Sequence, residues 1–564
     1  MGWTLGAVLL ALTMFSNRFW AEWFLHPLNT EAGTPGEDLL SGVTLLRIML
    51  PIAGLCWLTW TLRLQTRPGH SPTRQYDTSW LFIIPAAAIL ILGTIIRLPL
   101  LEDSLWYDEI AGFWYYGQFG PGPIIGNMFT PANHTLQTLG SWASVMMSGG
   151  SLEPEIIRLP ALILGLATIW PMSALARDAF QARPFMLLSI TLLLLCPIAI
   201  LESTEARGYA FMLFFGTSSS ALLVRYLSNG NTALLPFYAV VTALGIWSHL
   251  VTVVVPMGHA VFLLGTICLD RTDANARRRS WLGVCAIGLA AVTTITLLAP
   301  TLPGLLSDSE AFSASRADQP VLFGREGVNS LLGLGGAWSF WGGLSGLTLL
   351  GFGLLASFRE KGLRRPLLVT GMPILIAVIL VSGLGTWVYA RFLVFGISFS
   401  VLALAAGIHL LWSRSRVLGT VATGVLLLGW GSDLLGRYQV PRQPIRDIMT
   451  AIPKDGSGIG FIGITDLGIV LSWYADDPDR VIDLTQDDTI EPAPKRADID
   501  WIVIAYPSRT IPETRLEDLS FDLASSQPGS LQKVVEGFIV RRLEPGWIDN
   551  DGTVLLLERA KNGM

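Results

Sequence analysis

Two adjacent carboxylates, Asp108 and Glu109, have the residue types and the setting that could do chemistry. They follow Tyr107 in the polar segment 101–135, which lies between the apolar runs 80–98 and 156–176. A carboxylate beside a bilayer is costly unless it faces water, a partner or a substrate. Asp108 could act as the general base that takes a proton from an attacking hydroxyl or amine, with Glu109 orienting that group or helping to bind a metal. The alternative is a pair of solvated or helix N-terminal charges.

Histidines supply a second set of candidates. His134 follows Asn133 in the same segment, and His249 follows Ser248 at a predicted turn. Imidazole can bind a phosphate or a sugar hydroxyl, or can ligate a metal. A single histidine is also often a hydrogen-bonded structural residue, so this alternative stays open for both positions.

Two arginines stand at the ends of apolar runs. Arg207 lies in Glu205-Ala206-Arg207-Gly208-Tyr209, and Arg391 lies in Tyr389-Ala390-Arg391-Phe392. A guanidinium at the membrane boundary suits a lipid phosphate, because its planar fork forms bidentate, charge-assisted bonds. The alternatives are an arginine that snorkels to water or one that pairs with a nearby acid.

The composition indicates a membrane protein. Of the 564 residues, 51% are hydrophobic and 14% charged, against about 25% charged in soluble proteins. Runs of about 20 apolar residues cross a bilayer. The sequence predicts thirteen spans, at 3–25, 40–62, 79–99, 156–176, 184–201, 208–227, 232–247, 249–269, 281–302, 330–356, 366–384, 389–412 and 415–434.

The distribution of basic residues predicts the orientation of these spans. One set of alternate loops holds sixteen Lys and Arg, and the other holds six, at Arg97, Arg158, Arg207, Arg316, Arg325 and Arg391. The positive-inside rule then places the N-terminus in the cytoplasm, and the Asp108 segment and the C-terminal domain outside. We expect two N-terminal spans with a linker (1–78), a membrane domain (79–435) and an outer domain (436–564).

The C-terminal region reads as a small α/β domain. From Gly436 onward it carries 21 Asp and Glu against 14 Lys and Arg, which gives no indication of nucleic-acid binding. Helices are predicted at 444–452 and 467–474, and strands at 459–464, 480–484, 501–506, 534–541 and 553–557. The glycines at 456–460 precede a strand instead of following one, so they indicate a turn and no dinucleotide site. Asp476-Asp477-Pro478-Asp479 is interpreted as an acidic turn.

The order of these pieces resembles a known family. An Asp-Glu pair in a large outer loop is followed by Asn133-His134, Arg158-Leu159-Pro160, Glu205-Ala206-Arg207-Gly208-Tyr209, Ser248-His249 and Arg391-Phe392-Leu393. Over about 80–450 this resembles the GT-C superfamily of membrane glycosyltransferases. The branch it resembles contains protein O-mannosyltransferases, the lipid A aminoarabinose transferase and lipopolysaccharide-core sugar transferases.

The resemblance implies a polytopic helical enzyme of the inner (cytoplasmic) membrane that uses a polyprenyl-phosphate sugar donor and inverts the anomeric carbon. Asp108 would be the base with Glu109 beside it, and Arg207 and Arg391 would bind the donor phosphate. We add Tyr107, Asn133, His134, Tyr209 and His249 as predicted substrate-binding residues. The acceptor would be a glycan, lipid or protein outside the cytoplasm. No cofactor is required, and a divalent metal is left open.

Other classes share several of these features. A transporter or flippase of polyprenyl-linked sugars should show half-matching repeats with broken helices, and the sequence shows no such symmetry. A polymerase, a ligase or an oligosaccharyltransferase is a second alternative. The last of these typically carries Trp-Trp-Asp, for which Ser472-Trp473-Tyr474-Ala475-Asp476 is not a match. A non-catalytic assembly subunit is a third alternative.

Overall fold

The structure of the protein is a computed structural model. It describes the chain except for residues 28–29, 32–33, 66–79, 129, 131, 181–182, 270–271, 308–338, 385–389, 463–466, 485–498, 506–537, 545–553 and 560–564. Arg316, Arg325 and the start of the span predicted at 330–356 therefore lie outside the described residues. The chain divides into two compact units, one of Met1–Leu101 with Tyr116–Leu434, and one of Glu102–Tyr115 with Leu435–Met564.

The first unit is helical. It begins with α1 Gly2–Leu12, α2 Asn17–Phe24, α3 Glu37–Gln65 and α4 Trp80–Leu101. The next helix, α5 Tyr107–Tyr115, belongs to the second unit. The first unit then resumes with α6 Pro121–Gly126, α7 Thr135–Met147, α8 Pro154–Ala167, α9 Ile169–Phe180, α10 Arg183–Leu195 and α11 Pro197–Glu202. It continues with α12 Tyr209–Asn229, α13 Leu234–Ser248, α14 Val254–Leu269, α15 Ala274–Leu298, α16 Leu302–Ser307, α17 Ser339–Arg359, α18 Lys361–Leu384, α19 Ile397–Arg414 and α20 Arg416–Gln439, the last of which extends into the second unit. Strands β1 Thr30–Glu31 and β2 Thr34–Pro35 pair antiparallel.

Ten of the described helices are long and apolar enough to cross a membrane, and three shorter apolar helices, α1, α10 and α13, accompany them. The prediction of a polytopic helical membrane protein is thus confirmed. The thirteen predicted spans correspond to these helices, although some of the spans are divided. The span predicted at 156–176 is divided between α8 and α9, and the span predicted at 184–201 between α10 and α11. The chain is also broken within the span predicted at 3–25. There the chain makes two helices, because Ser16 caps a new N-terminus by accepting the Phe19 N–H at 3.1 Å. Asn17, Arg18 and Glu22 then make α2 amphipathic, with Trp20 and Phe24 buried.

Small residues allow close helix packing in the first unit. A Cβ on Gly353 of α17 would lie 1.9 Å from the Ala403 carbonyl oxygen of α19, and a Cβ on Gly407 would lie 1.9 Å from that of Leu349. Such glycines let two membrane helices approach at the backbone, where dispersion contacts replace the missing hydrophobic driving force. The buried core around them joins α9, α10, α12, α14 and α18.

The second unit is an α/β domain. It contains α21 Ile445–Thr450, β3 Gly458–Ile462, α22 Leu467–Tyr474, β4 Val481–Asp483, β5 Ile499–Ala505, β6 Phe538–Glu544 and β7 Val554–Arg559. The described strands form one sheet in the order β4-β3-β5-β7-β6, with β3 parallel to β4 and β5, and β7 antiparallel to β5 and β6. The predicted helices and strands are present where the structure describes them; residues 463–464, 506, 534–537 and 553 of the predicted strands lie outside the described residues. The mixed strand order could not be derived from the sequence.

The segment Glu102–Tyr115 belongs to this second unit, although it lies more than 300 residues before the rest of it. The acidic pair is therefore held by the C-terminal α/β domain.

Candidate functional site

The two candidate carboxylates occupy different environments on α5. Trp106 precedes the helix, and Glu109 reaches back so that its Oε2 accepts the Trp106 N–H at 3.2 Å. This is one half of a capping box, in which the third helical residue satisfies the backbone donor before the helix. Glu109 is 1% exposed, whereas Asp108 is half-buried. Both acids stand in the first turn, where the helix dipole favours negative charge.

The segment just before α5 is held by hydrogen bonds to two residues of the C-terminal region. The Tyr474 hydroxyl accepts the Leu105 N–H at 2.7 Å and donates to the Leu105 carbonyl at 3.3 Å. The Gln443 Oε1 accepts the Tyr107 N–H at 3.1 Å. The backbone on both sides of Trp106 is thus fixed, which gives the Asp108 carboxylate a defined position within this unit.

Aromatic contacts complete this support. The Arg442 guanidinium carbon lies 3.6 Å from the centre of the Trp106 ring, a cation–π contact. Trp473 meets Phe113 and Trp114 edge-on, with ring centroids 6.0 and 6.4 Å apart. Tyr474, Gln443 and Arg442 were not among the predicted site residues. Their only signal in the sequence was the aromatic pair Trp473-Tyr474, which reveals no partner by itself.

The histidines come together in the first unit. The rings of His134 and His249 stack with centroids 4.6 Å apart and planes 19° apart. Tyr209 lies 5.8 and 5.0 Å from their centroids, and Phe392 lies 5.4 Å from that of His249. His134 is 8% exposed, His249 6% and Tyr209 1%. Four residues separated by up to 258 positions in the sequence thus form one cluster, in which Phe392 is half-buried and the other three are buried.

Burial and positive charge keep both imidazoles neutral. Burial is the main reason why the pKa of His134 lies well below its ordinary value, and Arg207, His249 and Arg391 lower it further. Burial, Arg207 and Arg391 lower the pKa of His249 to about 3. Both arginines therefore act electrostatically on the same pair of rings, which identifies one cluster of two cations, two neutral imidazoles and a tyrosine.

The arginines are held by hydrogen bonds within this cluster. The Arg391 Nε donates to the Tyr209 hydroxyl at 3.0 Å. The Arg207 guanidinium is 5% exposed and donates to the Ala132 carbonyl at 3.1 Å, two residues before His134. Asn133, also predicted as a substrate contact, uses its amide nitrogen on the Ile124 and Asn127 carbonyls at 2.9 and 2.8 Å. Asn133 thereby shapes the turn before His134.

Gly208 lies where the start of α12 comes close to His134 and to the backbone of Ser248. A Cβ at Gly208 would lie 2.5 Å from the Ser248 carbonyl oxygen and 3.0 Å from the Cγ and Nδ1 of His134. The start of α12 can therefore pass between the histidine-bearing loops only because residue 208 lacks a side chain. This accounts for the glycine between Arg207 and Tyr209.

Two other arginines of the set predicted to lie outside serve the fold. Arg97 is 1% exposed and donates to Ser203 Oγ and to the carbonyls of Gly93, Leu194 and Ala199 at 2.7 to 3.4 Å. Arg158 is 3% exposed and donates to the Leu100 and Leu101 carbonyls at 3.1 and 3.0 Å.

The predicted site residues therefore divide between the two units. Asn133, His134, Arg207, Tyr209, His249 and Arg391 lie together in the first, and Tyr107, Asp108 and Glu109 lie in the second. Within the described residues, no three His, Cys, Asp or Glu side chains form a metal-binding group. A divalent metal stays an open alternative.

Comparison of the sequence with protein-family models gives no match. Comparison with curated protein sequences gives none either. The structure is similar to that of ArnT from Cupriavidus metallidurans bound to undecaprenyl phosphate, with a TM-score of 0.53 and 13% identity over 86% of this chain and 99% of that one. It is also similar to archaeal oligosaccharyltransferase AglB from Archaeoglobus fulgidus in complex with an inhibitory peptide and a dolichol-phosphate, with a TM-score of 0.51 and 12% identity over 78% of this chain and 71% of that one. The expected GT-C fold is confirmed.

Proposed function

We propose that this protein is an inverting membrane glycosyltransferase that moves a sugar from a polyprenyl-phosphate donor to an acceptor outside the cytoplasm. The observation that carries the proposal is the convergence of Arg207 and Arg391 on the His134–His249 pair. Two guanidiniums 184 positions apart in sequence lower the pKa of the same histidine. Guanidiniums at one cluster suit a phosphate, because each offers planar, charge-assisted hydrogen bonds.

Catalysis would consist mainly of stabilising the leaving phosphate and removing one proton. The acceptor oxygen or nitrogen attacks the anomeric carbon as the bond from that carbon to the phosphate oxygen breaks. The electron pair leaves with the polyprenyl phosphate, whose charge Arg207 and Arg391 stabilise. The acceptor proton passes to the Asp108 carboxylate. Attack from the face opposite the phosphate inverts the anomeric carbon.

Asp108 is favoured over Glu109 as the base. Glu109 is buried and its Oε2 accepts a backbone N–H, whereas Asp108 is half-buried on the same turn. A base must reach the proton of an incoming acceptor, and the partly exposed carboxylate meets that requirement. Glu109 then serves to hold the helix that presents Asp108.

The similar structures support the donor class. One was solved with undecaprenyl phosphate and the other with a dolichol-phosphate, both polyprenyl phosphates. In this chain the lipid would lie in the bilayer beside the spans. The N-terminus would be cytoplasmic and the domain 436–564 outside, in the inner (cytoplasmic) membrane. The acceptor would be a glycan, lipid or protein.

The test is a transfer assay in nanodiscs with radiolabelled undecaprenyl-phosphate sugars. Asp108→Asn should reduce kcat by 100-fold or more, since general base catalysis contributes about 10² to 10⁴. Glu102→Gln is its matched control, because Glu102 is an exposed acid of the same segment. Arg391→Ala should raise the KM for the donor and lower kcat. Arg414→Ala, at the exposed far end of the helix that follows, is its control.

Three outcomes would contradict the proposal. Full activity of a correctly folded Asp108→Asn variant would reject the base. Transfer from nucleotide sugars alone would reject the donor class. Movement of the labelled lipid across the bilayer without sugar transfer would favour a flippase.

A further inference from the structure

The stacked rings of His134 and His249 indicate a binding role in addition to the phosphate binding proposed for the arginines. Their Nε2 atoms are both buried, and within the described part of the chain neither has a hydrogen-bond partner. A buried polar atom without a partner destabilises the folded protein, because it has lost its hydrogen bonds to water and gained none in return. Two such atoms on one pair of stacked rings indicate that a ligand supplies the missing bonds.

The backbone fixes the proton on His249. Its Nδ1 accepts the Val251 N–H at 3.3 Å, in the turn between α13 and α14. A neutral imidazole has one N–H, so the proton must sit on Nε2. His249 therefore presents a hydrogen-bond donor.

The backbone fixes the opposite arrangement on His134. The Ser248 backbone raises the pKa of this ring, as a nearby carbonyl acceptor does. Since Nε2 makes no hydrogen bond, the ring donates through Nδ1, which lies in the same narrow space beside Gly208 as the Ser248 oxygen. The neutral ring then carries a lone pair on Nε2. His134 therefore presents an acceptor.

We infer that His134 and His249 form a hydroxyl-recognition pair, in which His249 Nε2–H donates to, and His134 Nε2 accepts from, one hydroxyl of the donor's sugar. A hydroxyl is both donor and acceptor, and so it satisfies both rings at once. An anion would satisfy His249 only, and an ammonium His134 only. The inference rests on the proposed function, since it names the sugar end of the same donor.

The neighbouring arginines favour the donor's sugar over the acceptor. Arg391 is bonded to Tyr209, whose ring lies 5.0 Å from that of His249, and Arg207 is bonded to the Ala132 carbonyl, two residues before His134. In a polyprenyl-phosphate sugar the anomeric carbon is bonded to the phosphate, so the nearest sugar hydroxyl is only a few bonds from it. A phosphate held by these arginines would bring that hydroxyl to the histidines.

The first test measures the two tautomers. The chain has six histidines, so ¹⁵N-histidine labelling of the full protein in nanodiscs gives an assignable spectrum, with His134→Asn and His249→Asn as assignment variants. We expect an Nδ1–H ring at His134 and an Nε2–H ring at His249. The same tautomer at both positions would overturn the inference.

The second test measures the contribution of the sugar to binding. Affinities are compared for undecaprenyl phosphate and for its glucose, mannose and galactose derivatives. We expect wild type to bind at least one sugar-bearing lipid about tenfold more tightly than the bare phosphate. His134→Asn and His249→Asn keep a polar atom where Nδ1 was and remove Nε2. They should therefore abolish this preference, and affinity for the sugar-bearing lipid should fall much more than affinity for the bare phosphate.

The variants matched to these asparagine variants replace the same two histidines with glutamine. His134→Gln and His249→Gln place a polar group near the Nε2 position and lose the Nδ1 bond, so they should keep more of the preference than the asparagines. The opposite order, or equal losses for both lipids, would show that the rings serve packing and would overturn the inference. His409→Asn, at a partly exposed histidine, should behave as wild type.

The two proposals fail separately. Sugar-dependent binding through Nε2 without transfer would reject the transferase and support the pair. Transfer without any effect of the asparagine variants on the sugar preference would support the transferase and overturn the pair.

Discussion

The Tyr474 hydroxyl bonds both backbone groups of Leu105, three residues before Asp108, although 369 positions separate the two residues. The C-terminal α/β domain thus determines where the candidate base stands. In the proposed reaction, this domain is part of the catalytic apparatus through positioning. Removing the hydroxyl oxygen of Tyr474 should therefore lower the rate of sugar transfer.

Tyr474→Phe removes both bonds to Leu105, together with the bond that the hydroxyl accepts from Ser104 Oγ at 3.4 Å, and keeps the ring. A lost hydrogen bond costs about 1 kcal/mol, and the freed Leu105 backbone should allow Asp108 to move. We expect kcat to fall by about fivefold to tenfold with little change in the KM for the donor. Steady-state transfer kinetics in nanodiscs measure this split.

Tyr226→Phe is the control for that experiment. The Tyr226 hydroxyl also bonds the backbone, at the Arg279 carbonyl, within the first unit. Its loss should lower thermal stability by a similar amount and leave kcat unchanged. If both tyrosine variants reduce kcat equally, Tyr474 has no specific role in positioning Asp108.

Glu109 and Asp108 should respond differently to neutralisation. Glu109→Gln keeps an oxygen that accepts the Trp106 N–H, so its activity should stay within about twofold of wild type. Glu109→Ala loses the cap and should lower the free energy of unfolding by about 1 kcal/mol. Transfer rates and thermal unfolding of both variants, beside Asp108→Asn, provide the measurement. A 100-fold loss in Glu109→Gln would instead identify Glu109 as a reacting group.

A site residue could be predicted from the sequence only where its own type and its position beside an apolar run indicate a function. An acidic pair beside a membrane, and arginines where basic residues are scarce, are visible without a structure. The partners of these residues are not visible, because stacking of His134 on His249 and the anchoring by Tyr474 depend on contacts across more than 100 positions. Similarly, hydrophobic length predicted the spans, whereas the break in 3–25 depended on a local hydrogen bond, the helix cap at Ser16.

The neutral histidines predict how stability depends on pH. The folded pKa of His249 is about 3 against an ordinary value of 6.5, so the unfolded chain binds the extra proton first. The stability of the fold is therefore fully present above pH 6.5 and falls as pH decreases from 6.5 towards 3, by about 1.4 kcal/mol per pH unit for one such group. His249→Asn should reduce this slope, as thermal unfolding between pH 5 and pH 7 will show. A slope unchanged in that variant would mean that His249 is protonated in the folded protein.

Gly208→Ala tests the narrow passage between the histidine loops. The new Cβ would lie 2.5 Å from a backbone oxygen, which cannot move as a side chain end can. Overpacking of this kind costs about 1–3 kcal/mol, and displacement of His134 should also weaken donor binding. Gly288→Ala is the control, because nothing lies within 4 Å of its added Cβ. Equal stability and equal donor affinity of the two variants would contradict the geometry described for Gly208.

Arg97 is predicted to lie at the outer boundary, and we expect it to serve the fold without binding the donor. Its guanidinium holds the Ser203 hydroxyl and three carbonyls of α4, α10 and α11. Arg97→Met retains an apolar stem but removes four buried hydrogen bonds from a charged donor, each of which contributes about 1.5–3 kcal/mol. We therefore expect a large loss of thermal stability, while the folded fraction binds undecaprenyl phosphate with wild-type affinity. Arg391→Ala should show the reverse, with near-normal stability and weak lipid binding. Loss of lipid affinity in folded Arg97→Met would place Arg97 in the donor site.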